Sequence, residues 1–473
     1  MIAMSLYEQL IEYCASDAYP FHMPGHKRRA GAMQDPFTFD ITEIDGFDDL
    51  HHASGILAGA QERAAALYSS SETHFLVNGS TAGILSAITA CVPATGELLM
   101  ARNSHKSAYN AAGLRDIRTR YLYPVPHGEI NGPVDPADVE QALSGSARPL
   151  PQALFLTSPT YDGIVSDVRA IAQIAHRHGV ILIVDEAHGA HFGMHPAFPR
   201  SSVTLGADIV IHSLHKTLPS LTQTALLHVN GDLADRRKLR SMLSVFQSSS
   251  PSYVLMASID SCIRTLSECG DTLFEEYICR LNRFRGRAHF TQIDLLPNDD
   301  PSRILLRPRN MSAARLYALL RDRYHLQCEM SAPSYVLLIS SVADTEEGFC
   351  RLLEALQELD RISPDPASGT HADPGLTQTA EITAQRARVR ASLYEALNAP
   401  QETAAFRDAA GLISAEYLYL YPPGIPLLAP GEEITDTLIR CAESLTLAGY
   451  ELHGTEDSAH QTIRVMKEET TKR

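Results

Sequence analysis

The segment Val180-Ile181-Leu182-Ile183-Val184 constrains this chain more than any other. Five aliphatic residues run without a polar break and end on Asp185-Glu186-Ala187-His188. A strand with one wet face would alternate, so this run predicts a strand covered on both faces, the environment of a parallel sheet packed between helices. Its neighbours repeat the theme. Residues 153–157 and 208–212 read as further buried strands, and residues 168–178 as a helix closed by Gly179. Phe75-Leu76-Val77 leads into the turn Gly79-Ser80-Thr81 and a helix over 84–91. Strands alternating with helices predict an α/β fold with a mostly parallel sheet.

The flanking regions differ. Residues 5–14 read as a short amphipathic helix, followed by the loop Phe21-His22-Met23-Pro24-Gly25-His26-Lys27. Beyond the sheet, a helix over 273–287, strands at 303–306 and 335–339, and helices over 312–324 and 345–359 predict a smaller α+β domain. A polar Pro/Gly stretch at 363–370 reads as linker. The expected organisation is an N-terminal segment (1–54), a large domain (55–272), a small α+β domain (273–362), a linker (363–376) and a mainly helical C-terminal domain (377–473).

Composition narrows the function classes. A net charge of −16 argues against nucleic-acid binding, which needs a basic footprint. No apolar stretch approaches the roughly 20 residues of a membrane span, and the first residues do not resemble a signal peptide. The eight cysteines are scattered without a C-x-x-C pair, which fits free thiols in a reducing compartment and makes the cytoplasm the expected location.

In an open α/β sheet, ligands bind beyond the carboxyl ends of the strands. Three polar clusters follow predicted strands: Gly79-Ser80-Thr81, Asp185 to His188, and His212-Ser213-Leu214-His215-Lys216-Thr217. The first offers backbone N–H groups and hydroxyls at a helix start, a seat for phosphate. Each cluster alone is weak, since a helix start or a loop lysine is commonly just solvated. Together they are the parts that pyridoxal phosphate requires. Lys216 supplies an amine able to form a Schiff base with the cofactor's aldehyde. Asp185 supplies a carboxylate to keep the pyridine nitrogen protonated. Ser213 and His215 flank the lysine closely enough to reach the phosphate, and His105, after the run Leu98-Leu99-Met100, is placed to stack on the ring.

At these residues the sequence resembles the ornithine/lysine/arginine decarboxylase family, which has the aspartate-aminotransferase-like fold. The matching segments are FHMPGHK (21–27), DGFDDLHH (45–52), NGSTAG (78–83), RNSHKS (102–107), TSPTYDG (157–163), VDEAHGAH (184–191), HSLHKTLPSLTQ (212–223) and YPPGIPLLAPGE (421–432). The resemblance implies that Lys216 carries pyridoxal 5'-phosphate as a Schiff base, that Asp185 pairs with its pyridinium nitrogen and that His105 stacks on its ring. It also implies that Gly79, Ser80, Thr81, Ser213 and His215 bind the phosphate and that Ala187 packs on the opposite ring face. His188 stands where longer members carry tryptophan, and is grouped with the catalytic residues. The length is that of short members lacking an N-terminal regulatory domain. A homodimer with active sites at the interface, or a higher oligomer, is implied as well.

The expected reaction is decarboxylation of a basic L-amino acid, arginine before lysine or ornithine, giving a polyamine precursor. The alternative is transamination or aldol cleavage on the same scaffold. A non-catalytic cofactor binder and a metal hydrolase complete the range. His22 with His26, and His188 with His191, have spacings open to zinc, but no cysteine or carboxylate joins either pair at ligand spacing, and no metal is expected. Asp48, Asp49, Glu329 and Glu416 are candidate contacts for the substrate's distal cation, with solvated-loop or capping roles as the plain reading.

Overall fold

The computed structural model describes residues 6–29, 35–128, 130–145, 149–309, 311–362, 386–421, 424–447 and 449–467. Its centre is a seven-stranded sheet: β1 (Glu72–Leu76), β2 (Glu97–Ala101), β3 (Arg118–Leu122), β4 (Ala153–Thr157), β5 (Ile181–Asp185), β6 (Ile209–His212) and β7 (Ala225–Val229). The spatial order is β1-β7-β6-β5-β4-β2-β3, with β7 antiparallel to both neighbours and the remaining pairings parallel.

The lack of alternation in β5 has its cause in the two faces it meets. Ile183 packs with Ile209, Ile211 and the helices Gly79–Cys91, Lys106–Leu114 and Arg236–Phe246. Leu182 and Val184 face the other way, onto the helices Pro136–Ser144 and Val168–Arg177. Both faces are dry, so both sets of side chains are aliphatic. Gly83 lets the helix Gly79–Cys91 press on the sheet, since a Cβ there would stand 2.7 Å from the Leu76 side chain.

A helix over Tyr253–Arg287, with a non-helical break at Cys269, crosses residue 272 and ties the large unit to the small one. The small unit is a four-stranded antiparallel sheet in the order Met330–Ser331, Val336–Ile339, Arg303–Pro308, Ile293–Leu295. It is backed by the helices Ala313–Asp322 and Glu346–Leu359. The N-terminal segment joins it directly: Tyr19–Phe21 pairs in parallel with Leu326–Cys328.

The expectation of a mainly helical C-terminal domain is corrected. Its described residues form an α+β unit with the helices Leu393–Asn398 and Asp436–Leu447 beside two small sheets. Gln401–Ala405 pairs with Thr462–Met466, and Leu418–Leu420 lies between Pro426–Leu428 and Leu452–His453. These strands hold two to five residues. Gln401–Ala405 exposes most of its length, so it lacks the apolar signature that marks a strand in sequence. The linker at 363–376 lies outside the described residues.

Candidate active site

Six strands of the large sheet point the same way, so the loops after β1, β2, β4, β5 and β6 emerge along one edge. Register places the end of β5 centrally: Asp185 pairs with Thr157 on one side and Ile211 on the other. The Asp185 carboxylate is 4% exposed and accepts one bond, from Ala187 N at 3.1 Å. Burial pushes its pKa upward, opposed chiefly by the Lys216 charge. Such a carboxylate favours a cationic partner.

Lys216 lies on the short helix Leu214–Thr217 after β6, and its Nζ meets His188 Nε2 at 2.9 Å. Burial pushes the lysine's pKa down, with Asp185 and Glu329 opposing. His188 is 7% exposed and its pKa lies well below the ordinary value, through burial and then the neighbouring Lys216 and Arg303 charges. Ala187, one residue earlier, is buried.

The helix Gly79–Cys91 begins with Gly79 at φ +71°, and Asn78 makes no side-chain cap. Its first N–H groups are therefore open to an anion. Ser213 Oγ donates to Ser80 Oγ at 3.0 Å, bringing two hydroxyl-bearing loops together, and Thr81 is exposed beside them. His215 donates from Nδ1 to Thr224 O at 2.9 Å, and burial pushes it down to about 4. A neutral His215 thus presents a lone pair at Nε2, and the phosphate role expected of it requires protonation of both nitrogens.

His105 opens the helix Lys106–Leu114; its Nδ1 is 2.8 Å from Ser107 Oγ. Burial, with Lys216 and Lys106 adding, pushes it down to about 4. The C-terminal unit reaches this loop, for Gly424 lies so close that a Cβ would be 3.4 Å from the His105 ring. Buried polar atoms without a protein partner include Asn103 Oδ1, Thr157 Oγ1 and Thr217 Oγ1, all on segments at this edge. An amine, a buried carboxylate, an imidazole, an open helix start and partnerless polar atoms suit a cofactor with aldehyde, cationic ring and phosphate.

The candidate contacts for the substrate separate. Glu329 stands near the site: it accepts from Met23 N at 2.9 Å and Tyr161 OH at 2.5 Å, and the Tyr161 ring meets the His188 ring at 4.6 Å. Glu416 accepts from Glu456 N and Arg464 N within the C-terminal unit. Asp48 accepts from the backbone N–H groups of Asp49, Ser54, Gly55 and Leu57, and Asp49 from His51 N and the His52 ring. These three carboxylates hold turns. His22 bonds Met23 O and Tyr13, and His191 bonds Asp300 at 3.1 Å. Among the described residues no three metal-ligating side chains cluster.

Sequence reasoning missed Arg303 and Tyr161. Arg303 is 0% exposed and donates to both Nδ1 and O of His188. Its only signal was a charged residue opening the apolar strand Arg303–Pro308. Tyr161 stood in plain view within TSPTYDG.

The family model "Orn/Lys/Arg decarboxylase, major domain" matches residues 4–304, and the corresponding C-terminal domain matches 377–467. An arginine decarboxylase of Bacillus anthracis is 30% identical over 98% of this chain and 97% of its own length. The constitutive lysine decarboxylase of Escherichia coli is 22% identical over 97% of this chain and 81% of its own. The crystal structure of the Francisella novicida lysine decarboxylase superposes with a TM-score of 0.81 at 19% identity, covering 97% of this chain and 80% of that one.

Proposed function

This chain belongs to the ornithine/lysine/arginine decarboxylase family, and on that premise we propose that it removes the α-carboxylate of L-arginine as carbon dioxide, with pyridoxal phosphate carried on Lys216. The observation that carries the assignment is a half-buried lysine amine, 2.9 Å from His188, within electrostatic reach of the buried Asp185. Arginine is favoured over lysine and ornithine by the greater likeness to the arginine decarboxylase.

When bound, pyridoxal phosphate supplies an aldehyde for an amine to condense with and a protonated ring that takes up the electrons left at Cα as carbon dioxide departs. Asp185 would hold the proton on the ring nitrogen, since a desolvated carboxylate gains most from a cationic neighbour. The first turn of the helix Gly79–Cys91, with Ser80, Thr81 and Ser213, would take the phosphate, joined by protonated His215. His105 and Ala187 would bound the two ring faces and so fix which substrate bond stands perpendicular to the ring. Lys216, once the substrate amine has taken its place, would be free to return a proton to Cα. His188 would hold that amine between the two tasks.

The working unit on this reading is a cytoplasmic homodimer. Leu6, Leu10, Ile11, Phe37 and Phe47 are exposed on the N-terminal segment, an apolar surface suited to a second copy. The described residues hold no helix long and apolar enough to cross a membrane. The amine product is a polyamine precursor.

The test is to incubate the cofactor-loaded chain separately with L-arginine, L-lysine and L-ornithine and identify products by mass spectrometry, with Lys216→Ala as control. The expected product is agmatine from arginine, absent in the control. Keto acid would overturn decarboxylation in favour of transamination. Amine from lysine or ornithine alone would overturn the choice of arginine.

A further inference from the structure

Arg303 is the largest fully buried side chain of the described residues and carries a charge. Its nearest carboxylate, Asp300, stands 4.0 Å from Nε and is bonded to His191. The guanidinium turns instead to His188: Nη2 lies 3.2 Å from Nδ1 and 3.1 Å from the carbonyl oxygen, while Nη1 donates to Ser302 Oγ at 3.3 Å. A guanidinium has donors only, and it does not lose its proton in a protein.

The consequence follows from counting hydrogens. His188 Nδ1 must bring a lone pair to Arg303, so the single proton of the neutral ring sits on Nε2. That Nε2–H points at Lys216 Nζ, 2.9 Å away. An ammonium at Nζ would set donor against donor; a neutral amine brings the lone pair the bond needs. We propose that Arg303 is a positioning residue that, acting through His188, holds Lys216 as the neutral amine able to condense with the cofactor's aldehyde. The direction agrees with burial, which disfavours the lysine's charge and that of His188. The other groups bearing on the pair are Asp185 and Glu329, which favour the ammonium, and His105 and His215, which repel charge on His188. The Tyr161 hydroxyl is turned to Glu329.

The proposal rests on Lys216 being the cofactor lysine. Borohydride reduction of the loaded chain with peptide mapping checks that separately, because the modified lysine is then identified whatever the role of Arg303. The inference itself is tested on the full chain without cofactor, by pulses of acetic anhydride across roughly pH 6–10 and mass spectrometry of the Lys216 peptide. Arg303→Leu is expected to move the labelling midpoint upward by about one pH unit or more, about tenfold less labelling at neutral pH. Arg303→Lys should restore most of it. In a His188→Phe background the same Arg303→Leu change should move the midpoint far less, as expected for residues acting in series. An equal shift in both backgrounds would show Arg303 acting by charge alone, and no shift in either would remove its role; both overturn the proposal. Should Arg303→Leu fail to fold, nitrogen-15 spectra of the unsubstituted chain decide. His188, assigned by its loss in His188→Phe, should show a protonated Nε2 and a bare Nδ1 at neutral pH, and the reverse pattern or an imidazolium overturns the proposal.

Discussion

Gly25 packs on the backbone of Leu218 so closely that a Cβ would stand 2.8 Å from both its nitrogen and its oxygen. The loop is fastened there, for Gly25 N donates to His215 O at 2.7 Å and Ser341 Oγ donates to Gly25 O at 2.6 Å. Lys27, 5% exposed, anchors its far end on His22 O and Ile339 O. The N-terminal loop therefore braces the turn that carries Lys216 against the small unit.

Gly25→Ala should destabilise the chain by about 1–3 kcal/mol, the range for forcing a methyl into a packed site. The atoms that a Gly25 methyl would meet are backbone atoms of Thr217 and Leu218, so relief requires moving the Lys216 turn. A lowered urea midpoint together with at least tenfold weaker cofactor loading is expected. Full loading with unchanged stability would contradict the bracing role.

His105 and His215 both sit at about 4, against 6.5 for an unperturbed imidazole, each primarily because it is buried. The unfolded chain therefore binds more protons than the folded chain between those values, and stability rises with pH there. The sites contribute fully above about pH 6.5, and the contribution is lost as pH falls towards 4. The loss is at most roughly 3 kcal/mol per histidine, less for solvent screening. Urea midpoints of the cofactor-free chain should fall steeply over this window, and His105→Phe should flatten the fall.

Asp185→Asn separates stability from chemistry. The buried carboxylate is costly without a cationic partner, which is why burial raises its pKa. The amide removes that cost, so the cofactor-free chain at neutral pH should be as stable or more stable by about 1 kcal/mol. Turnover should fall by about 10²–10³, the typical loss when a fixed electrostatic group is removed from a transition state. Both are measured on one preparation, and a loss of stability alongside the loss of kcat would contradict this separation.

The legible part of this site was the part encoded locally. Asp185 and Lys216 follow aliphatic strands, and a parallel sheet brings the ends of those strands to one edge without further information. Arg303 was illegible because its partner His188 is 115 residues away, in the loop of another unit. Nothing in the composition of a strand states what its first residue meets. Glu416 misled for the converse reason: its acceptors go to backbone N–H groups of Glu456 and Arg464, a pairing fixed only when the C-terminal sheet forms. That sheet was hidden too, because strands as short as Leu452–His453 hold too few residues for a period of two to register.

Arg102 and Glu432 join the C-terminal unit to the loop that carries His105, and this pair gives the strongest stability prediction. Arg102 Nη2 lies 3.0 Å from Glu432 Oε2, and the guanidinium also donates to Pro426 O and Leu427 O. The Glu432 side chain is 2% exposed and also accepts from Ala429 N at 2.9 Å. The same contact continues at Lys106, whose backbone N–H donates to Gly424 O. Glu432→Gln would leave Arg102 as an uncompensated buried cation, a loss on the order of 3–5 kcal/mol when one partner of such a pair is removed. Glu432→Leu combined with Arg102→Met, which removes both charges, should cost much less than Glu432→Gln alone. Because Arg102 is three positions from His105 in the chain, loosening the pair should also weaken cofactor binding. Urea melts of the three chains, with cofactor titrations followed by absorbance, check both parts. Equal stability for Glu432→Gln and the unsubstituted chain would mean that this contact does not hold the C-terminal unit in place.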